Sequence, residues 1–233
     1  MNEPIEYYVA AAGLPGADLA LLAARGALLA HRRFRARPGY ARWLAGSQAK
    51  VVLRAEPDEI AALARLHDGL TIPELPDTPR IAVFRPRPKP QAAFVADLKL
   101  FSGRIGPSIR ADWPPEIGLD APLVYAAELD LSAGKLAAQI AHAALALQEE
   151  CAGRPTWSDW LAAGMPLALL RAPGATLKRL IAAGRAFGIE DEGRTEIPAG
   201  SLTAVASAPG SLDLWRAEPD VALVARSVGR PVV

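Results

Sequence analysis

An acid, a guanidinium and two threonine hydroxyls crowd into thirteen residues late in the chain: Asp191, Arg194, Thr195 and Thr203 in DEGRTEIPAGSLT. Gly193, Pro198 and Gly200 break the run, so it cannot form a regular helix, and it is too polar for an ordinary sheet connection. A second polar cluster lies upstream on a helical pattern: Lys135, Gln139 and His142, after Asp130, in DLSAGKLAAQIAHAAL. These residue types suit hydrolysis of an ester. An aspartate can orient and partly deprotonate water, threonines can donate to a carbonyl, and a lysine near a helix N-terminus suits a phosphate or an oxyanion. Arg194 can hold phosphate bidentately or brace Asp191.

Each residue also has a plain structural reading. Asp191 with Glu190 and Glu192 can be a solvated acidic turn. Thr195 and Thr203 can satisfy loop backbone, Gln139 can cap a neighbouring loop, and His142 can be a hydrogen-bonded packing residue. Trp157 and Trp160 read as core. Cys151, the one cysteine, excludes an internal disulfide and has no acid or histidine arranged around it, so it reads as a bystander in a reducing cytoplasm.

The elements that must position these groups alternate between strand and helix. In the second half, strands are expected at Leu123–Ala127, Pro166–Leu170 and Leu202–Ala206, and helices over Lys135–Glu149, from Thr156 and over Thr176–Phe187. The first half repeats the order, with strands at Ile5–Ala12, Lys50–Ala55 and Ile81–Phe84 and helices over Leu19–His31 and Glu56–Leu66. Trp43 stands eleven residues before Arg54 and Trp160 eleven before Arg171, each in a Trp, Gly, Leu-Arg-Ala order, and Ala30-His31 is matched to Ala141-His142. Self-similarity of this length points to a duplication, against a null of chance matching in an alanine- and leucine-rich chain.

The fold class expected is α/β: two tandem small three-layer domains with mixed four-stranded sheets in a pseudo-two-fold arrangement. Residues 1–85 and 121–233 form the domains, joined over 86–120 by a linker that opens within the proline-rich run Arg85–Pro90, RPRPKP. With 233 residues, 51% of them hydrophobic, the chain can bury a core, and no apolar run is long enough to span a membrane. The acidic N-terminus lacks the pattern of a signal peptide, so the expected location is the cytoplasm. A net charge of +1 does not by itself mark a nucleic-acid binder, but its distribution is uneven. Residues 1–90 hold 13 Lys/Arg against 9 Asp/Glu, with Arg32, Arg33, Arg35 and Arg37 clustered, whereas residues 122–210 hold 7 against 9.

The GRTEIPAGSLT string with Asp191 ahead of it, the Trp160–Gly164 and Leu169-Leu170-Arg171-Ala172 element, and the DLSAGKLAAQIAHAAL helix together resemble the type II peptidyl-tRNA hydrolase family. The resemblance implies hydrolysis of the ester that joins peptide to tRNA, with no metal or other cofactor and tRNA as the partner. The active-site positions it implies are Lys135, Asp191, Thr195 and Thr203, with Gln139 and His142 beside them; from their charge, Arg194 and the Arg32, Arg33, Arg35 and Arg37 cluster are expected to take tRNA phosphates. The family carries two lysines around a glycine where this chain, two residues shorter, has Lys135 alone. Either Lys135 inherits the role through a shifted loop or the lysine function is lost, and the alternative reading is a non-catalytic tRNA- or RNA-binding or regulatory relative. In the first copy Ala24 and Leu28 are matched to Lys135 and Gln139, and Gly69 or Ile72 to Asp191, so that copy is expected to be catalytically dead. Single-copy members pair as homodimers, which implies a monomer with an internal pseudo-dimer here.

Overall fold

The computed structural model describes residues 3–46, 48–72, 79–103, 105, 111–116, 118–193 and 197–227. Two five-stranded mixed sheets are built on the same plan, one more strand in each than the expected four. In the first, the order is β3 (Leu70–Thr71), β4 (Ile81–Pro88), β1 (Pro4–Ala11), β2 (Lys50–Ala55), β5 (Lys99–Leu100). Only β1 and β2 run parallel. In the second, the order is β8 (Phe187–Glu190), β9 (Leu202–Ala206), β6 (Ala121–Ala126), β7 (Leu167–Ala172), β10 (Ala222–Ser227), and only β6 and β7 run parallel. A parallel pair needs a crossover. Here it is α1 (Gly16–Phe34) with α2 (Pro38–Leu44) in the first sheet, and α4 (Ala133–Cys151) with α5 (Pro155–Ala162) in the second. Helices α3 (Pro57–Leu66), α6 (Gly174–Ala182) and α7 (Leu212–Arg216) complete the set.

From α1 to β3 the elements correspond at a constant spacing. Gly16 and Ala133, Pro38 and Pro155, Lys50 and Leu167, Pro57 and Gly174, and Leu70 and Phe187 open matching elements, each 117 residues apart. At the same spacing the Trp43 indole donates to the Ala49 carbonyl (3.2 Å) and the Trp160 indole to the Pro166 carbonyl (2.9 Å). Tyr40 packs on Trp43 with ring centroids 5.0 Å apart, as Trp157 packs on Trp160 at 4.7 Å. Gln48 and Met165, again equivalent, both take positive φ. This register differs from the expected match of His31 to His142. Gln148 stands opposite His31, and opposite Lys135, Gln139 and His142 stand Asp18, Leu22 and Arg25. At this spacing the position counted opposite Asp191, expected at Gly69 or Ile72, lies outside the described residues.

The core follows the two-residue period of the strands. Tyr7, Val9, Leu53, Ala82 and Phe84 meet Ile60 and Ala64 of α3 on one face of the first sheet. The opposite face takes α1, where a Cβ on Gly26 would lie 2.7 Å from Val83. In the second sheet Val124, Leu170 and Val205 meet Leu177 and Leu180 of α6 and Trp215 of α7.

Two further expectations change. The run Arg85–Pro90 is not a free spacer: β4 continues through Pro88, pairing Pro88 with Pro4 and Arg87 with Ile5, and a 3-10 segment, Lys89–Val95, follows. Prolines two apart withhold donors from one side of a strand only. Among the described residues β3 pairs with β4 at Ala82 and Val83 alone, before the prolines begin. The first body of the fold therefore reaches beyond residue 85. The compact units are Met1–Arg104 with Ser132–Ala141, and Ile105–Leu131 with His142–Val233. Helix α6 stops at Ala182 and does not continue to Phe187. Gly184, at φ +67°, ends it, and Phe187 opens β8.

Candidate functional site

Asp191 sits where β8 leaves the sheet. The loop between β8 and β9 closes at its neck, with the Asp191 N–H donating to the Ser201 carbonyl (2.9 Å) and the Gly200 N–H to the Asp191 carbonyl (2.8 Å). The Asp191 side chain is buried, and its Oδ1 accepts the Gly193 N–H at 2.8 Å. That bond folds the chain back directly after the acid. Gly193 is required twice over: φ is +75°, and a Cβ there would lie 2.7 Å from the Ala199 backbone nitrogen. The sequence thus writes a tight loop whose first residue is an aspartate with a fixed carboxylate. Arg194 and Thr195 lie outside the described residues.

Thr203, fully buried on β9, donates its hydroxyl to the Ile189 carbonyl at 3.1 Å, beside the register shift between Ile189 and Glu190. The bond pins the irregular end of β8, two residues before Asp191. Thr203 therefore holds the strand that presents the acid, and the hydroxyl proton expected for a substrate carbonyl is engaged with the backbone.

Lys135, Gln139 and His142 lie at i, i+4 and i+7 on α4, so they share one face. Gln139 is buried and the other two are half-buried. The helix is started by Ser132, whose hydroxyl accepts the Lys135 N–H (3.2 Å). Gly134 lies so close to the Phe101 carbonyl that no side chain fits, and the Ala133 N–H donates to the Gly103 carbonyl at 2.8 Å. The segment after residue 90, to which the sequence assigns no role, thus fixes the start of the helix that carries Lys135.

Sequence reasoning passes over Glu128. Its carboxylate takes the Gly174 N–H on both oxygens (2.8 and 3.1 Å) at the head of α6, tying down the loop between β6 and α4. Nothing in the local sequence marks it, because its partner is forty-six residues away. Cys151 is buried, and burial pushes its thiol up, away from the thiolate a nucleophile needs. Among the described residues no group of three His, Cys, Asp or Glu side chains is placed to hold a metal, and no helix is long and apolar enough to cross a membrane.

The family model described as Peptidyl-tRNA hydrolase PTH2 matches residues 121–216, from β6 through α7. A peptidyl-tRNA hydrolase of Metallosphaera sedula is 33% identical over 99 residues, covering 37% of this chain and 83% of that protein. The chain belongs to the peptidyl-tRNA hydrolase PTH2 family. Proteins named peptidyl-tRNA hydrolase 2, mitochondrial, from Mus musculus and Homo sapiens are 33% and 35% identical over 100 residues, 40% of this chain in each case. The match spans 55% and 56% of those two proteins, a little over half their length. The PTH2 match holds Lys135, Gln139, His142, Asp191 and Thr203, while the first sheet lies wholly outside it.

Proposed function

We propose that this protein hydrolyses the ester between peptide and tRNA in peptidyl-tRNA, without a metal. The observation that carries the reading is the buried Asp191 carboxylate, fixed by the Gly193 N–H at the neck of a closed loop within the segment that matches PTH2. In this reading Asp191 orients the attacking water and accepts part of its proton. Lys135 offers a cation to phosphate or to the developing oxyanion. Thr203 positions the strand that carries the acid, and Thr195, Gln139, His142 and Arg194 complete the site, as the resemblance implies. The test is turnover of N-acetylated aminoacyl-tRNA by the metal-stripped full chain. Release of the acetylated amino acid, with free-amine aminoacyl-tRNA spared, supports the reading; background rates on both refute it.

A second reading, a binding or regulatory relative without turnover, is favoured by the single lysine of the shortened helix start. Binding of tRNA with no release in the same assay selects it. We further propose that the N-terminal unit is a copy of the same domain that has lost its chemistry. Asp18 stands where the second copy has Lys135. Arg80, three residues before Val83 as Thr203 is three before Ala206, pairs with Asp18 at 3.8 Å. An ion pair there neutralises both the lysine and the hydroxyl positions. The working form in this proposal is a monomer carrying one competent site.

A further inference from the structure

The corner where α1 turns into α2 holds five arginines in eleven residues, Arg32, Arg33, Arg35, Arg37 and Arg42, with no acid among them. All five are exposed. The corner is rigid, because its aromatic residues point inward: Phe34, Tyr40 and Trp43 are 1–2% exposed, with Tyr40 packed against all of Phe34, His31 and Trp43. Of the five, Arg33 is tied to an acid, Asp68, at 2.5 Å, and both partners of that pair are about half exposed.

Basic residues near a helix C-terminus have an ordinary structural reason, the negative end of the helix dipole. The equivalent corner between α4 and α5 tests that reason, because it has the same backbone plan and buried residues in the same places, Cys151, Trp157 and Trp160. There the five positions are Glu149, Glu150, Ala152, Arg154 and Asp159. The same turn is thus built with the opposite charge, so folding does not demand the arginines. Nor does solubility, which either sign supplies.

We infer that the α1–α2 corner is a binding surface for the phosphate backbone of RNA, lying outside the segment that matches PTH2 and supplying a charge that segment lacks. The inference rests on the tRNA-hydrolase reading for the identity of the polyanion. Five guanidinium forks on a fixed turn suit phosphates spaced along a strand, since each can take two oxygens at once. Contacts of this kind carry affinity without sequence preference and weaken with salt. A protein partner is the competing occupant, the acidic α4–α5 corner of a second copy above all.

The experiment compares the full chain with a variant in which Arg32, Arg35, Arg37 and Arg42 are glutamine and Arg33 keeps its pair with Asp68. Matching thermal unfolding of the two establishes that the variant is folded. Uncharged bulk tRNA is titrated by fluorescence anisotropy from about 50 to 200 mM salt, with light scattering on both proteins in the absence of RNA. The expected result is Kd raised at least about tenfold at the lowest salt, and a log–log salt slope flatter by about 3 to 4 units, close to one for each lost contact. On N-acetylated aminoacyl-tRNA the loss appears in KM. Equal affinity and equal slope for the two proteins overturn the inference. So does salt-sensitive self-association that the variant abolishes while tRNA affinity stays unchanged. Wild-type binding without turnover removes the hydrolase reading and leaves the corner to be decided by the binding data. A wild type that binds no tRNA removes both.

Discussion

Replacing Glu6 with glutamine stabilises the N-terminal unit at neutral pH and removes one titration from its stability curve. Glu6 is fully buried on β1. Its Oε2 accepts the Tyr8 hydroxyl at 2.6 Å, while Oε1 has no hydrogen-bond partner among the described residues. Burial pushes the carboxyl up from 4.5 to about 7, against the opposing pull of Lys50 on β2 and the Tyr8 hydrogen bond. Tyr40, from α2, also acts on Tyr8. Because the folded state holds the proton more tightly than the unfolded chain, stability falls as pH rises from about 4.5 to about 7 and is level above that window. At 1.36 kcal/mol per pKa unit, the charged carboxylate costs about 3 kcal/mol at pH 8. Glutamine keeps an oxygen for the Tyr8 hydroxyl and never ionises. The assay is urea unfolding of both full-length proteins at pH 5 and pH 8, taking the difference at each pH so that other titrations cancel. The variant gains about 2 to 3 kcal/mol on wild type between the two pH values. A difference that does not change with pH would refute the reasoning, because Glu6 would then ionise in the folded state as readily as in the unfolded chain.

Asp191→Asn keeps the acceptor for the Gly193 N–H but loses the charge, so turnover of N-acetylated aminoacyl-tRNA falls roughly 10²-fold with the unfolding midpoint unchanged. Gly193→Ala forces a side chain into positive φ and against Ala199, at a local cost of order 1–3 kcal/mol. It is read as faster amide exchange at Gly200 and Asp191 together with lost activity. Thr203→Val leaves the Ile189 carbonyl without its donor and lowers stability by about 1–3 kcal/mol, measured by urea unfolding, with turnover reduced as the end of β8 loosens. Light scattering at micromolar concentration gives the mass of one chain, 24.6 kDa.

Much of the plan is legible in the residues themselves. Alternating apolar strands and periodic helices identify the class, and the spacing from Trp43 to Arg54 and from Trp160 to Arg171 falls on matching elements of the two sheets. The polar run from Asp191 announces a loop by its glycines and proline, and the fold closes that loop at its first and last residues.

What the sequence leaves open depends on partners far along the chain. The short strands β3, β5 and β8 carry too few residues to show a period, and they exist because β4, β2 and β9 offer them an edge. RPRPKP reads as a spacer until β1 is seen beside it, since a proline is tolerated wherever the missing donor faces no neighbour. Histidine matching slips the two halves by six residues, and only the strand register sets Arg25 opposite His142 and Asp18 opposite Lys135. The charge reversal between the two corners is written in the sequence at Arg32 and Glu149, but it has meaning only once both are known to occupy the same turn. Local composition determines which segments become strand, helix or loop. Tertiary pairing decides which of their side chains are equivalent, because a hydrogen-bonded register compares positions that no local pattern can align.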